Sequence, residues 1–289
     1  MTKLYILIIA IALMGCTVSD NSDAWGSLEA EEIIISARVN GNITQFHTQE
    51  GKAVESEALI AEIDATDLLL AKDELLSNIK LLEVKLQATE QKFVLTQIEV
   101  QNLNLEKERF TQLVAENASS QKPLDDINAA MRLLDQKLDL NKTETKLVKA
   151  EKLIANKKLK TLQNNIAKCS IYAPMKGTVL TVYNNVGEFV TLGKPILKLA
   201  DIRTLKAVFY ISETQLTSLK QDQKINIRID SGDTMKSYPA TVSYISDKAE
   251  FTPKVIQTRE ERVKLVYKVE AICDNDGSLK IGMPIEIIF

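Results

Sequence analysis

The chain has 289 residues, 45% of them hydrophobic and 26% charged, with a net charge of −3 and a pI of about 5.5. That balance excludes a disordered chain and a multi-span membrane protein, and it offers no basic surface for nucleic acid. An aromatic content of 5% suits long helices better than a large aromatic core.

The chain opens MTKLYILIIAIALMGC. Lys3 gives a positive n-region, and Leu4 to Met14 is an apolar run of signal-peptide length, too short to span a bilayer. It ends in Leu13-Met14-Gly15-Cys16, which resembles a bacterial lipobox. The expectation is a signal peptide over 1–15, lipid on Cys16, and a lipid-anchored tether over 16–32 that includes the stretch from Gly26 to Ala30. Export places the remaining body in an oxidising compartment. Cys169 and Cys273 lie far apart in apolar, strand-like runs, so they read as two separate buried thiols, and their spacing fits no metal-ligand pattern.

Residues 36–64 and 172–200 align without a gap at an offset of 136. Ala37 matches Ala173, Gly41 matches Gly177, Gly51 matches Gly187, Val54 matches Val190, Ile60 matches Ile196 and Ile63 matches Leu199. Each unit reads as strand, tight turn, strand, turn, strand, with the paired glycines at the turns. Neither unit is large enough for a core of its own, so the halves 33–64 and 169–201 are expected to pack on each other.

Between the halves there is no glycine from Gly51 to Gly177, and Pro123 is the only proline between Gly51 and Pro174. Residues 65–168 therefore read as two long helices with one interruption near 117–123. In the first arm two series repeat every seven residues: Ile79, Leu86, Phe93, Val100, Lys107, Val114, and Leu75, Leu82, Thr89, Thr96, Leu103, Phe110. In the second arm the series are Ile127, Leu134, Asn141, Val148, Ala155, Leu162, and Met131, Leu138, Thr145, Lys152, Leu159, Ile166. This is the seam of a coiled coil, with polar exceptions that help set its register. Residues 65–121 carry 9 acidic and 6 basic side chains, and residues 122–168 carry 6 and 11, which is consistent with an antiparallel hairpin. Ser120 is placed to cap the second helix with its hydroxyl, and Pro123 falls in the first turn, where its missing N–H costs little.

From 202 to 289 the pattern turns β. LKAVFYI is a strand, SETQLTSLK a short helix capped by Ser212, and KINIRID alternates with Ile225, Ile227 and Ile229 on one face. YPATVSYIS, VKLVYKVEAIC and MPIEIIF complete a small β-barrel. The fold class is thus an elongated α+β chain: a lipoyl-like β-domain split by a coiled-coil hairpin, then a barrel.

This order resembles the periplasmic adaptor subunits of the hemolysin-secretion-D type, also called membrane fusion proteins. The stretch EFTPKVIQTREERVKLVYKVE, residues 250–270, looks like the signature of YbhG-like adaptors that serve ABC exporters. The resemblance implies a non-enzymatic adaptor in a Gram-negative periplasm, lipid-anchored to the inner membrane. It would be a homo-hexamer joining an inner-membrane ABC permease and ATPase to a TolC-type outer-membrane channel, with no cofactor. A proton-driven RND or MFS pump is the alternative partner. Adaptors that dock on such channels carry an Arg, then Leu four residues on, a small residue at nine, Ser at eleven and Asp at sixteen. Here these are Arg109, Leu113, Ala118, Ser120 and Asp125, the implied docking tip, while Ser119 stands where an aliphatic residue is usual.

Other classes fit less well. A lipoyl or biotin carrier holds its lysine at the junction of the halves, which the hairpin replaces here, and Met175-Lys176 lies inside the second half. GEFVTLGKP has Pro195 where a phosphate loop needs Ser or Thr. Ser119-Ser120-Gln121-Lys122 lacks the companion motifs of an S-x-x-K enzyme. His47, the single histidine, has no catalytic partner in the pattern. A structural coiled-coil lipoprotein explains the anchor and helices but not the repeat.

Overall fold

The computed structural model describes residues 22–289 except 231, 233 and 252–264. The lipobox with Cys16, and most of the 250–270 stretch, lie outside these residues.

The repeat builds a β-sandwich by interlacing. β2 (Glu32–Ser36), β3 (Gly41–Phe46), β4 (Ala53–Val54) and β5 (Leu59–Ile63) come from the first half. β6 (Ser170–Tyr172), β7 (Gly177–Val182), β8 (Phe189–Val190) and β9 (Pro195–Ala200) come from the second. Adding 136 to β3 and β4 reproduces the bounds of β7 and β8. The sheets run β2-β9-β7-β4 and β6-β5-β3-β8, so each contains strands of both halves. Val54 lies opposite Gly177, and Gly41 opposite Val190. Neither half forms a sheet alone, which is why two units too small for a core become one domain. Ile43, Ile60, Ile196, Leu197 and Leu199 fill the space between the sheets. At Gly177 a Cβ would sit 2.7 Å from the Ala200 carbonyl oxygen, so only glycine lets the strands close.

The hairpin leaves the sandwich after β5 and returns before β6. α1 (Thr66–Ala115) has 50 residues and α2 (Gln121–Ala167) has 47, so the hairpin is about 70–75 Å long at 1.5 Å per residue. At its root, Asp64 Oδ1 accepts from the Thr66 hydroxyl at 2.6 Å and the Thr66 N–H at 2.9 Å, and these bonds hold the Asp64 carboxyl below its ordinary pKa. All 24 residues of the four seven-residue series are buried or half-buried. Across the seam Lys85 pairs with Glu151, Lys92 with Glu144, Lys137 with Glu99, Lys149 with Glu90 and Lys152 with Glu83. The partners' residue numbers add to about 236 in every pair, the signature of one antiparallel register. These half-exposed pairs contribute little stability each, but they oppose slippage.

The barrel contains one strand more than the sequence suggests. β1 (Ala24–Glu29) precedes the sandwich, and β10 (Thr204–Ile211), β11 (Lys224–Asp230), β12 (Met235–Phe251), β13 (Leu265–Asp274) and β14 (Pro284–Ile288) follow it. They close in the order β1-β10-β13-β12-β11-β14. The expected tether over 16–32 is therefore corrected: its segment 24–29 is a barrel strand bonded to β10 on one side and β14 on the other. Leu28 is fully buried in the barrel core, and Asp23 ties the segment down by donating its N–H to the Ile287 carbonyl and accepting from the Phe289 N–H. Gly26 is no breaker here; a Cβ at that position would meet the Val208 carbonyl oxygen. The short helix α3 (Glu213–Leu216) follows Ser212, whose N–H and hydroxyl both donate to Gln215 Oε1. Ile225, Ile227 and Ile229 all point into the core.

Cys169 is buried in the sandwich core and Cys273 in the barrel core, both as free thiols whose pKa burial pushes up.

Candidate functional site at the hairpin tip

The two helices are joined by residues 116–120. α1 stops in a Schellman motif: the Asn117 N–H donates to the Val114 carbonyl at 3.1 Å and the Ala118 N–H to the Leu113 carbonyl at 2.8 Å. This geometry needs a left-handed residue, and Asn117 supplies it at φ 58°. The sequence signal was an asparagine just past the last heptad residue, and the reading above missed it.

Ser120 takes the extended N-cap conformation at φ −76°, ψ 162°, but its side chain makes no capping bond, which corrects the expected hydroxyl cap. The reason is Pro123. It occupies the third helical position, the usual donor to a cap hydroxyl, and it has no N–H. The first turn of α2 is held instead by a Gln121 side-chain amide bond to Asp125 Oδ1 at 3.2 Å, while the Ser119 hydroxyl donates to the Ser120 carbonyl.

The five implied docking residues come together at this end of the hairpin. Arg109 and Leu113 occupy the last two turns of α1, Ala118 and Ser120 the loop, and Asp125 the first turns of α2. Arg109 and Asp125 are level with each other by the register of the seam, but they do not pair. Arg109 contacts Glu106 at 3.9 Å on its own helix, and its guanidinium lies 5.4 Å from the centre of the Phe110 ring. Its side chain remains 68% exposed, a planar donor fork presented to the outside. Leu113 is half-buried; Ala118, Ser120 and Asp125 are exposed. Below the tip an open groove is lined by Lys107, Asp125, Asn128, Met131, Arg132 and Asp135.

No chemistry of bond making is assembled here. Among the described residues no group of three or more His, Cys, Asp or Glu side chains is arranged to hold a metal ion. His47 bonds Glu62 at 2.7 Å on the sandwich surface. What the tip can do is recognise: it offers donors, acceptors and a small apolar surface on a rigid rod.

A split sandwich carrying a helical hairpin and followed by a closed barrel is the architecture of a membrane fusion protein. Residues 31–200 match the family described as the RND membrane fusion protein, barrel-sandwich hybrid domain. Because that match covers more than half of the chain, the chain belongs to this family, whose members are adaptors rather than enzymes. It is 26% identical over 290 residues to a UPF0194 membrane protein of Acidithiobacillus ferridurans, covering 91% of this chain and 85% of the relative. It is 32% identical over 121 residues to the UPF0194 membrane protein YbhG of Salmonella arizonae, a stretch that is 42% of this chain and 36% of that relative. In three dimensions it resembles MacA from Actinobacillus actinomycetemcomitans, with a TM-score of 0.55 at 22% identity, over 91% of this chain and 76% of that one. It also resembles the membrane fusion protein Spr0693 from Streptococcus pneumoniae R6, with a TM-score of 0.50 at 14% identity, over 91% of this chain and 97% of that one. Among the described residues no helix is long and apolar enough to cross a membrane.

Proposed function

We propose that this chain is the periplasmic adaptor of a tripartite export system, linking an inner-membrane ABC exporter to a TolC-type outer-membrane channel. The observation that carries this reading is the state of the tip. Arg109, Ser120 and Asp125 stand at the end of a rod about 70 Å long, and the polar contacts of Arg109 and Asp125 stay within their own helices. Their outward faces are left for a partner. The barrel rests on the exporter, the sandwiches stack into a ring of six, and lipid on Cys16 holds the ring at the inner membrane. The resemblance of residues 250–270 to the signature of adaptors that serve ABC exporters supports the ABC class of partner. An RND pump is the second reading, favoured by the description of the matching family.

A photo-reactive residue at Ser120 in living cells tests the docking. The expected product is an adduct with an outer-membrane channel protein, lost when Arg109→Glu is added. An adduct and an export phenotype both indifferent to Arg109→Glu would refute the docking role. Co-purification of an ATPase subunit with the adaptor identifies the ABC class, and incorporation of labelled palmitate that disappears in Cys16→Ser identifies the anchor.

A further inference from the structure

β12 and β13 outrun the barrel that they help to close. In their ladder Ala249 lies opposite Tyr267, Glu250 opposite Val266 and Phe251 opposite Leu265. The other neighbour of β13 is β10, which ends at Ile211 opposite Tyr267. The other neighbour of β12 is β11, which starts at Lys224 opposite Thr241. The last two pairs therefore form a two-stranded arm, with no further strand on either side among the described residues. Side chains alternate along a strand, so Leu265 and its partner Phe251 continue the face that carries Tyr267 and Val269 in the barrel core. Past the rim that face has no core to enter: Phe251 is 74% exposed and Leu265 54%. An opposed apolar pair left in water at the end of an arm marks a contact surface.

Register fixes the direction of the arm. Partner numbers in the β1–β10 ladder add to 235, which puts Ala24 beside Ile211, and Ile211 lies beside Tyr267. The start of β1 and the base of the arm thus share one end of the barrel. The opposite end holds Glu29 and Thr204, where the chain passes to and from the sandwich. Ser22 is fastened at the arm's end of the barrel, its hydroxyl donating to Glu286 Oε2 at 2.6 Å. Cys16 precedes Ser22 by six residues, a leash of at most about 22 Å when fully extended. Trp25, the single tryptophan of the chain, stands one residue in from the start of β1 and is 66% exposed. Tryptophan favours the membrane–water interface, where its ring meets lipid and its N–H meets water.

We propose that this arm enters the lipid interface of the membrane that holds Cys16, with Phe251 and Leu265 below the headgroups and Trp25 beside them at the rim. The short leash rests on the lipid-anchor reading, and the arm adds a second contact with the same bilayer. Lipid on a leash limits distance but not direction. A second contact at the same end sets the barrel upright, with its sandwich end away from the membrane.

Phosphatidylcholine vesicles, with no exporter present, test the contact. Trp25→Phe/Phe251→Trp moves the single tryptophan to the arm. In the full-length protein reconstituted with brominated lipid, its fluorescence should be quenched relative to ordinary lipid. Trp25→Phe/Met235→Trp, at an exposed position near the sandwich end, should not be quenched. Flotation with the vesicles but no quenching at the arm would overturn the contact and leave the anchor standing; the apolar pair would then belong against the exporter or a second copy. Quenching at the arm in a protein that incorporates no palmitate at Cys16 sinks the anchor and leaves the contact standing. Phe251→Glu/Leu265→Glu, at two exposed positions, should keep the β circular dichroism and the flotation but reduce the quenching of Trp25 by brominated lipid. Undiminished quenching in that variant would also overturn the contact.

Discussion

Asn141 on α2 donates its side-chain amide to the Thr96 hydroxyl on α1 at 2.9 Å, inside the apolar seam. Thr96 in turn donates to the Lys92 carbonyl one turn back, at 3.1 Å. Thr96 is 2% exposed and Asn141 8%, so the Asn141 amide depends on this bond while the Thr96 hydroxyl also has the Lys92 carbonyl. Asn141→Ala is expected to destabilise the hairpin by about 1–3 kcal/mol, through the lost bond and the gap it leaves. Asn141→Leu is expected to be near neutral or stabilising, because Thr96 keeps the Lys92 carbonyl as acceptor and leucine fills the seam. Thermal unfolding followed by helical circular dichroism measures both. Equal losses from leucine and alanine would show that the bond, not the packing, dominates the site.

Leu28 separates the two descriptions of the N-terminal segment. As a tether residue it could be truncated without consequence. As a fully buried barrel residue, Leu28→Ala is expected to cost about 2–5 kcal/mol. Trp25, on the same strand but 66% exposed, should tolerate Trp25→Ala far better. Denaturant midpoints of the two variants settle the comparison.

Asn117 controls the exit from α1. Asn117→Val forces a β-branched residue into the left-handed region and is expected to cost about 1–2 kcal/mol. Asn117→Gly should change stability by less than about 1 kcal/mol, since glycine enters that region freely. If both variants unfold at the wild-type temperature, the Schellman turn does not limit the hairpin.

Asp201 and Arg203 pair within the short segment between β9 and β10. The Asp201 carboxyl accepts from the Arg203 guanidinium and from the Arg203 N–H, and these bonds lower its pKa to about 2. A carboxylate whose pKa is depressed on folding stabilises the fold above its unfolded pKa of about 3.9, and that contribution fades as pH falls toward 2. The stability difference between wild type and Asp201→Asn should therefore be constant above pH about 5 and shrink below pH about 4. A difference that grows on acidification would mean that another group carries the acid sensitivity.

Periodic features were legible in the residues themselves. The seven-residue series located the seam because burial follows helical period, and all 24 of their members lie in it. The offset of 136 predicted the turns because Gly51 and Gly187 both need positive φ, at 79° and 88°. The tip was legible only in part. Its position followed from Pro123, yet the capping bond of Ser120 was misassigned because the same proline that marks the helix start also removes the donor the cap would use.

By itself the sequence determined the order of the parts and the faces of the helices, since these depend on local chain chemistry and on the spacing of apolar residues. It could not reveal that the halves exchange strands, that residues 24–29 close the barrel, or that Asn141 meets Thr96. Those relations join segments as far apart as Ala24 and Ile287, and only the folded chain decides which edges find each other. Leu28 had the same apolar side chain under either description. Its meaning came from β10 and β14 lying on either side of it.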